Sequence, residues 1–249
     1  MALLHVPLPS PMRYLTADAI QARLVSRNLV AKASTSGSPG GSKNPQKPIL
    51  LTLELQPTFT SGLTAPPIDP ALHAKLKALP AEIFTTRRGG GITFHGPGQL
   101  LAFPVLDLTQ FQLKTRSYVY MLESALLETC GYFGIPTRIT NNVGLWVSKK
   151  YKIASIGIHI RRHITSHGIA LNVSTDLDKF GSIVPCGLRD TKMTSFHQLG
   201  VQVSVDDAAR VFALKIAGQI GLRVETVDYK SLFNPKELHE FEMNEQLSL

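Results

Sequence analysis

The chain has 249 residues, 43% of them hydrophobic, and a formal net charge of +8; it can bury one sizeable core, and no apolar run approaches the roughly 20 residues of a membrane-spanning helix. Its two cysteines, Cys130 and Cys186, are too few for a disulfide framework and point to thiols in a reducing compartment. The basic excess suits an acidic partner, but no basic run exceeds two residues and no nucleic-acid-binding motif is present, so an ordinary basic surface explains it equally well.

Read from the N-terminus, Tyr14 to Ala33 has helical spacing, with Ala19, Ile20, Leu24 and Arg27 in register. Its arginines and near absence of acids also match a mitochondrial presequence, and the two readings compete. Residues 34–48 are Gly, Ser and Pro rich and are expected to form a flexible insert. Ile49 to Leu55 is a continuous β-prone run, the pattern of a strand covered on both faces. Gln56 to Pro70 reads as a loop, and Ala71 to Leu79 as a short helix. Leu100 to Leu108 reads as a strand in which Pro104 implies an edge or a bulge. Ser117 to Gly131 is a helix that places Cys130 in its apolar stripe, and Asp206 to Gln219 is another. Residues 234–249 carry four Glu against Lys236 and read as a polar tail. Several strands follow one another without intervening helices. That order predicts one α+β domain over 1–249, with helices packed on a mixed, largely antiparallel sheet.

Two stretches carry the chemistry. Residues 87–99 contain five glycines beside Arg87, Arg88 and His95. Glycines let backbone N–H groups approach a ligand, and an arginine fork suits a phosphate or carboxylate, yet the spacing matches neither common phosphate-loop fingerprint. Residues 152–187 alternate with a period of two through Ile156, Ile158 and Ile160 and again through Ile169, Leu171 and Val173, which predicts a β-hairpin. Lys152 opens it. Beyond its end, Pro185 and Gly187 hold Cys186 in a turn where a thiol can act as a nucleophile if a cation lowers its pKa. His159, His163 and His167 are four apart but sit on strands with no cysteine or carboxylate to complete a ligand set, so no metal site is expected.

In conjunction, three blocks resemble the lipoyl(octanoyl) transferase family of the biotin/lipoate protein ligase superfamily: Arg88-Gly89-Gly90 through Thr93 with His95-Gly96-Pro97-Gly98-Gln99, Lys152 to Gly157, and Arg161 through His167-Gly168 to Pro185-Cys186-Gly187. The resemblance implies that Cys186 carries the octanoyl group as a thioester while Lys152 lowers its pKa and handles protons. It implies substrate-binding roles for Arg88, Gly89, Gly90, Gly91, Ile92, Thr93, Phe94 and His95, for Ser155, Ile156 and Gly157, and for His167, Gly168, Ile169 and Ala170. Gly91 and Phe94 depart from the family, where a polar residue and a tyrosine are common. The implied donor is octanoyl-acyl carrier protein. The implied acceptors are lipoyl domains of 2-oxoacid dehydrogenase complexes and the glycine cleavage H protein, with no cofactor, nucleic acid or membrane. It also aligns Tyr14 to Ala33 with the family's first helix, against the presequence reading, and implies the mitochondrial matrix for a eukaryotic chain or the cytoplasm otherwise. Two alternatives stand beside it: an ATP-dependent lipoate–protein ligase, which would not need Cys186, and a non-catalytic basic binding module.

Overall fold

The computed structural model describes residues 1–35, 46–183 and 191–246. From the N-terminus it runs through β1 (Ala2–Pro7), α1 (Tyr14–Thr35), β2 (Ile49–Leu53), β3 (Thr58–Ser61), α2 (Pro70–Lys77), β4 (Glu82–Thr85), β5 (Thr93–His95), β6 (Gln99–Val105) and α3 (Thr115–Tyr132). Then follow β7 (Arg138–Ile139), β8 (Leu145–Trp146), β9 (Tyr151–Arg161), β10 (Ile164–Asn172), β11 (Lys192–Met193), α4 (Val205–Gln219), β12 (Arg223–Thr226) and α5 (Pro235–Gln246). Most of the 34–48 insert, and Pro185, Cys186 and Gly187, lie outside the described residues.

The large sheet has the order β12-β1-β2-β6-β10-β9-β8-β7, with β11 beside β9. β1 pairs in parallel with both β12 and β2, and β11 with β9, whereas the remaining pairs are antiparallel. Period-two alternation divides its side chains between two cores. Leu3, Leu50, Leu100 and Ala102 face α3 and α4, while Leu4, Val6, Leu51, Leu101 and Phe103 face α1 and α5. Covering both faces explains why β2 and β6 read as unbroken apolar runs. A second sheet, β4-β3-β5, has its own apolar cluster of Phe59, Leu76, Phe94 and Phe180. The class is therefore α+β around a mixed sheet, as the element order predicts.

Pro104 lies in a central strand, not at an edge. The β6–β10 register runs from Gln99 to Ala102 and stops there. Thr165 takes over: its hydroxyl donates to the Pro104 carbonyl at 2.7 Å and accepts from the Leu106 N–H at 2.9 Å. A side chain thus replaces the ladder where proline brings no N–H. The C-terminal residues also differ from the expected tail, because α5 packs on α1. Arg27 and Arg23 of α1 bond Glu237 at 2.7 Å and Glu240 at 3.0 Å, and Phe241 is buried edge-on to Phe233. At the other end of α1, Arg13 forms a buried ion pair with Glu82 of β4, which fixes the helix against the smaller sheet.

Candidate active site

Between the two sheets lies a cavity of about 60 Å³. From the predicted segments it is lined by Arg88, Gly90, Gly91, Thr93 and His95, by Ser155, Ile156 and Gly157, and by His167, Gly168, Ile169 and Ala170. Antiparallel pairing explains the last two sets: Ser155 stands opposite Ala170, Ile156 opposite Ile169, and Gly157 opposite Gly168. Gly89, Ile92 and Phe94 are not in the wall. Phe94 points into the smaller core, 5.2 Å from Phe59, Ile92 packs on that core, and the Gly89 N–H donates to the Ile158 carbonyl at 2.9 Å.

The wall also holds Tyr14, Leu55, Thr60, Thr86, Leu101 and Phe103, which sequence reasoning missed. Leu101 and Phe103 share a strand face, a period-two signal present in the sequence. Tyr14, Thr60 and Thr86 reach the cavity only through long-range packing, and Thr60 belongs to β3, inside a stretch that reads as loop.

Arg88 is the keystone of the glycine-rich segment. Its guanidinium donates to the Thr60 carbonyl at 2.7 Å and hydroxyl at 2.8 Å, and to the Gly89 and Gly91 carbonyls at 3.0 Å. The fork expected for a ligand is thus turned on the loop's own carbonyls. Its stem crosses Gly157, where an added Cβ would stand 2.8 Å from Arg88 Cδ. From Thr60 a buried polar chain continues to His95 (3.1 Å), from His95 to Gln99 (2.7 Å), from Gln99 to Asn172 (2.9 Å) and from Asn172 to the Thr194 carbonyl (3.0 Å). These links bring together residues from both sheets and the segment after β11.

Lys152 is the second residue of β9, only 3% exposed, and lies outside the cavity wall. Its Nζ sits over the Trp146 ring, 5.3 Å from the centroid. Gly144, at φ +120°, makes the space: a Cβ there would come within 2.5 Å of Lys152 Cε. Glu123, whose carboxyl burial pushes up, accepts from the Gly144 N–H at 3.0 Å and feels the Lys152 charge in the opposite sense. β11 runs beside the lysine: Met193 pairs with Lys152, and the Thr194 N–H donates to its carbonyl at 2.9 Å. Cys130, in α3, is fully buried and its thiol is pushed up to about 12 by burial. It is a packing residue. Cys186 itself falls outside the described residues.

The histidines separate by environment. His167, at φ +54°, is edge-on to Phe103, and its backbone N–H donates to Gln21 Oε1. Burial first, then Arg88, lowers His95 to about 3 and His167 to about 4; burial and Arg210 lower His5 to about 4. All three are neutral at pH 7. His163 sits in the β9–β10 turn, and no group of three or more metal-ligating side chains occurs among the described residues.

A histidine depressed in the fold contributes stability that is complete above its unfolded value near 6.5 and is lost as pH falls toward its folded value. Each of the three should therefore cost about 1.4 kcal/mol of stability per pH unit across that window. Asp18 and Glu123, raised by burial, act in the opposite sense and soften the loss. Denaturant midpoints are expected to fall between pH 7 and pH 5, with His167→Gln flattening the slope. A midpoint level across that range would refute the neutral, buried assignment.

Comparison with known proteins gives the family. Residues 40–217 match the lipoyl protein ligase A/B catalytic domain. A probable octanoyltransferase of Schizosaccharomyces pombe is 43% identical over 200 residues, covering 80% of this chain and 86% of that relative. The mitochondrial octanoyl-[acyl-carrier-protein]:protein N-octanoyltransferase of Xenopus tropicalis is 44% identical over 200 residues, 80% of each chain. Its human counterpart is 44% identical over 168 residues, 66% of this chain and 72% of that one. Among solved structures, a lipoate-protein ligase A bound with ATP superposes with a TM-score of 0.68 at 16% identity, covering 97% of this chain and 92% of that chain. A bipartite lipoate protein ligase from Thermoplasma acidophilum gives 0.65 at 18%, with the same coverage; at such identities the likeness is one of fold. With a matched catalytic domain over most of its length and relatives above 40% identity, the chain belongs to the lipoyl protein ligase A/B catalytic-domain family, and within it to the octanoyltransferases.

Proposed function

We propose that this enzyme takes an octanoyl group from octanoyl-acyl carrier protein and delivers it to a lysine of lipoyl domains in 2-oxoacid dehydrogenase complexes and of the glycine cleavage H protein. Cys186 is the carrier in between. Its thiolate attacks the donor thioester, and the departing carrier-protein thiolate takes a proton from the Lys152 ammonium and leaves as the thiol; the acceptor amine then attacks the enzyme thioester, forming an amide and returning the thiolate. Lys152 as ammonium favours the thiolate and, once neutral, accepts the proton the acceptor amine loses. The observation that carries this reading is the convergence of three distant segments on one cavity beside the strand that Lys152 opens. Leu55, Leu101, Phe103, Ile156 and Ile169 offer an alkyl chain an apolar wall, while Ser155 lies three residues along β9 from Lys152. Enclosure also keeps water from a thioester that it would hydrolyse.

The basic surface suits acidic carrier and acceptor proteins. The Xenopus and human relatives are named as mitochondrial, and the mitochondrial matrix is the location proposed here. Incubation with octanoyl-carrier protein, read by intact mass, should give a protein-bound octanoyl thioester that disappears on adding a lipoyl domain. Octanoate with ATP and Mg²⁺ should give none. Modification of the lipoyl domain in the second arm only would establish an ATP-dependent ligase instead.

A further inference from the structure

A second cavity, of about 440 Å³, lies beyond the first and is lined by α1 residues including Gln21, Ala22 and Val25 together with Arg87, His159 and Arg161. Tyr14, Thr86 and His167 line both, so they are the partition. Position along the β9–β10 pair gives the order. Lys152 comes first, the inner cavity spans the level of Ser155 to Gly157, and His167 is paired with Ile158, three residues and roughly 10 Å of strand from Ser155 at the lysine side of the cavity. The partition is held from several sides. The Tyr14 ring stacks on Phe84 at 4.7 Å, Thr86 is tied to the Ser61 carbonyl through its N–H at 2.8 Å, and His167 is tied to Gln21.

We propose that Tyr14, Thr86 and His167 form an end wall that fixes the length of the acyl chain the enzyme accepts. Resting on the octanoyl transfer proposed above, this makes the wall a specificity device distinct from Cys186 and Lys152. An acyl chain with its carbonyl end toward Lys152 runs along β9 and meets the wall with its methyl end. A longer chain must displace the wall or fold back. On the far side Leu15, Val25, Leu29 and Phe84 stand beside Asp18, Arg87, His159 and Arg161, so the outer cavity can cover further methylenes once the wall is opened, and each methylene that the intact wall keeps from apolar cover forfeits a factor of about four in binding.

The test is competition between octanoyl- and dodecanoyl-carrier protein for transfer to one lipoyl domain, because the product ratio does not depend on how much enzyme is folded. Tyr14→Ala is expected to raise the dodecanoyl-to-octanoyl ratio at least tenfold, and Thr86→Gly, a smaller opening, to raise it in the same direction. Adding Ala22→Trp, which fills the outer cavity from an exposed helix position, should reverse the gain. A ratio within twofold of wild type in both opening variants overturns the wall, as does a gain that Ala22→Trp leaves intact. Calorimetric binding of octanoate and dodecanoate to the same proteins reads the wall without transfer. A shifted binding ratio in enzymes that transfer nothing would therefore sink the proposed reaction and sustain the wall, whereas an unshifted one would sink the wall whatever the reaction.

Discussion

Cys186→Ala is expected to abolish the octanoyl adduct and lower transfer at least about a thousandfold, the scale on which loss of a covalent nucleophile acts, while leaving the fold unchanged by circular dichroism. Cys130→Ala is the matching control. Cys130 is in the α3 stripe, fully buried, with its thiol held up at about 12, so the thiolate that chemistry needs is not formed there at neutral pH. Alkylation of the native protein should accordingly modify Cys186 and spare Cys130. An octanoyl adduct that survives Cys186→Ala would remove the thioester step altogether.

Lys152→Met should slow transfer about a hundredfold or more, the range over which a positioned acid–base group contributes. The KM for carrier protein should change little, because the side chain is only 3% exposed, beside Trp146, Glu123 and Gly144. Lys152→Arg should not rescue, since a planar guanidinium cannot occupy a space shaped for an ammonium or give up its proton. Gly144→Ala tests the same position from outside. A Cβ 2.5 Å from Lys152 Cε and 2.6 Å from the Ala154 carbonyl must move the lysine or the strand, so its loss of rate should approach that of Lys152→Met. The pH dependence of Cys186 alkylation separates the two roles of the lysine. Its midpoint should lie below the ordinary thiol value of about 8.5 in the wild type and rise in Lys152→Met; an unmoved midpoint would leave Lys152 as a proton carrier only.

The parts of the fold legible in the sequence were those governed by local periodicity. The β9–β10 hairpin follows from two runs of period two, α1, α3 and α4 from helical spacing, and β2 from an apolar run that only a doubly covered strand tolerates. What escaped was set by contacts distant along the chain. The glutamates of α5 look like a solvated tail until Arg23 and Arg27, more than 200 residues earlier, supply their counter-charges. Pro104 reads as an edge or a bulge, and only the fold shows that Thr165 supplies the missing ladder contacts in a central strand. The same holds at the site. Motifs located the Gly-rich segment and both arms of the hairpin, but Tyr14, Thr60 and Thr86 carry no motif. Phe94, inside the motif, turns away because strand alternation puts it opposite Thr93 and His95.

The polar chain running from Arg88 to Thr194 has only one sense of travel. A guanidinium can only donate and a carbonyl can only accept, so the two ends dictate every link. Thr60 must give its proton to His95 Nε2, His95 must carry its own on Nδ1 toward Gln99, Gln99 must donate to Asn172, and Asn172 to Thr194. Both ring nitrogens of His95 are thereby committed, and no member can pass a proton onward without leaving a buried neighbour unsatisfied. The most conspicuous histidine of the glycine-rich segment is on this account an insulator. It holds the two sheets in register and leaves the proton traffic of the proposed reaction to the lysine at the head of β9.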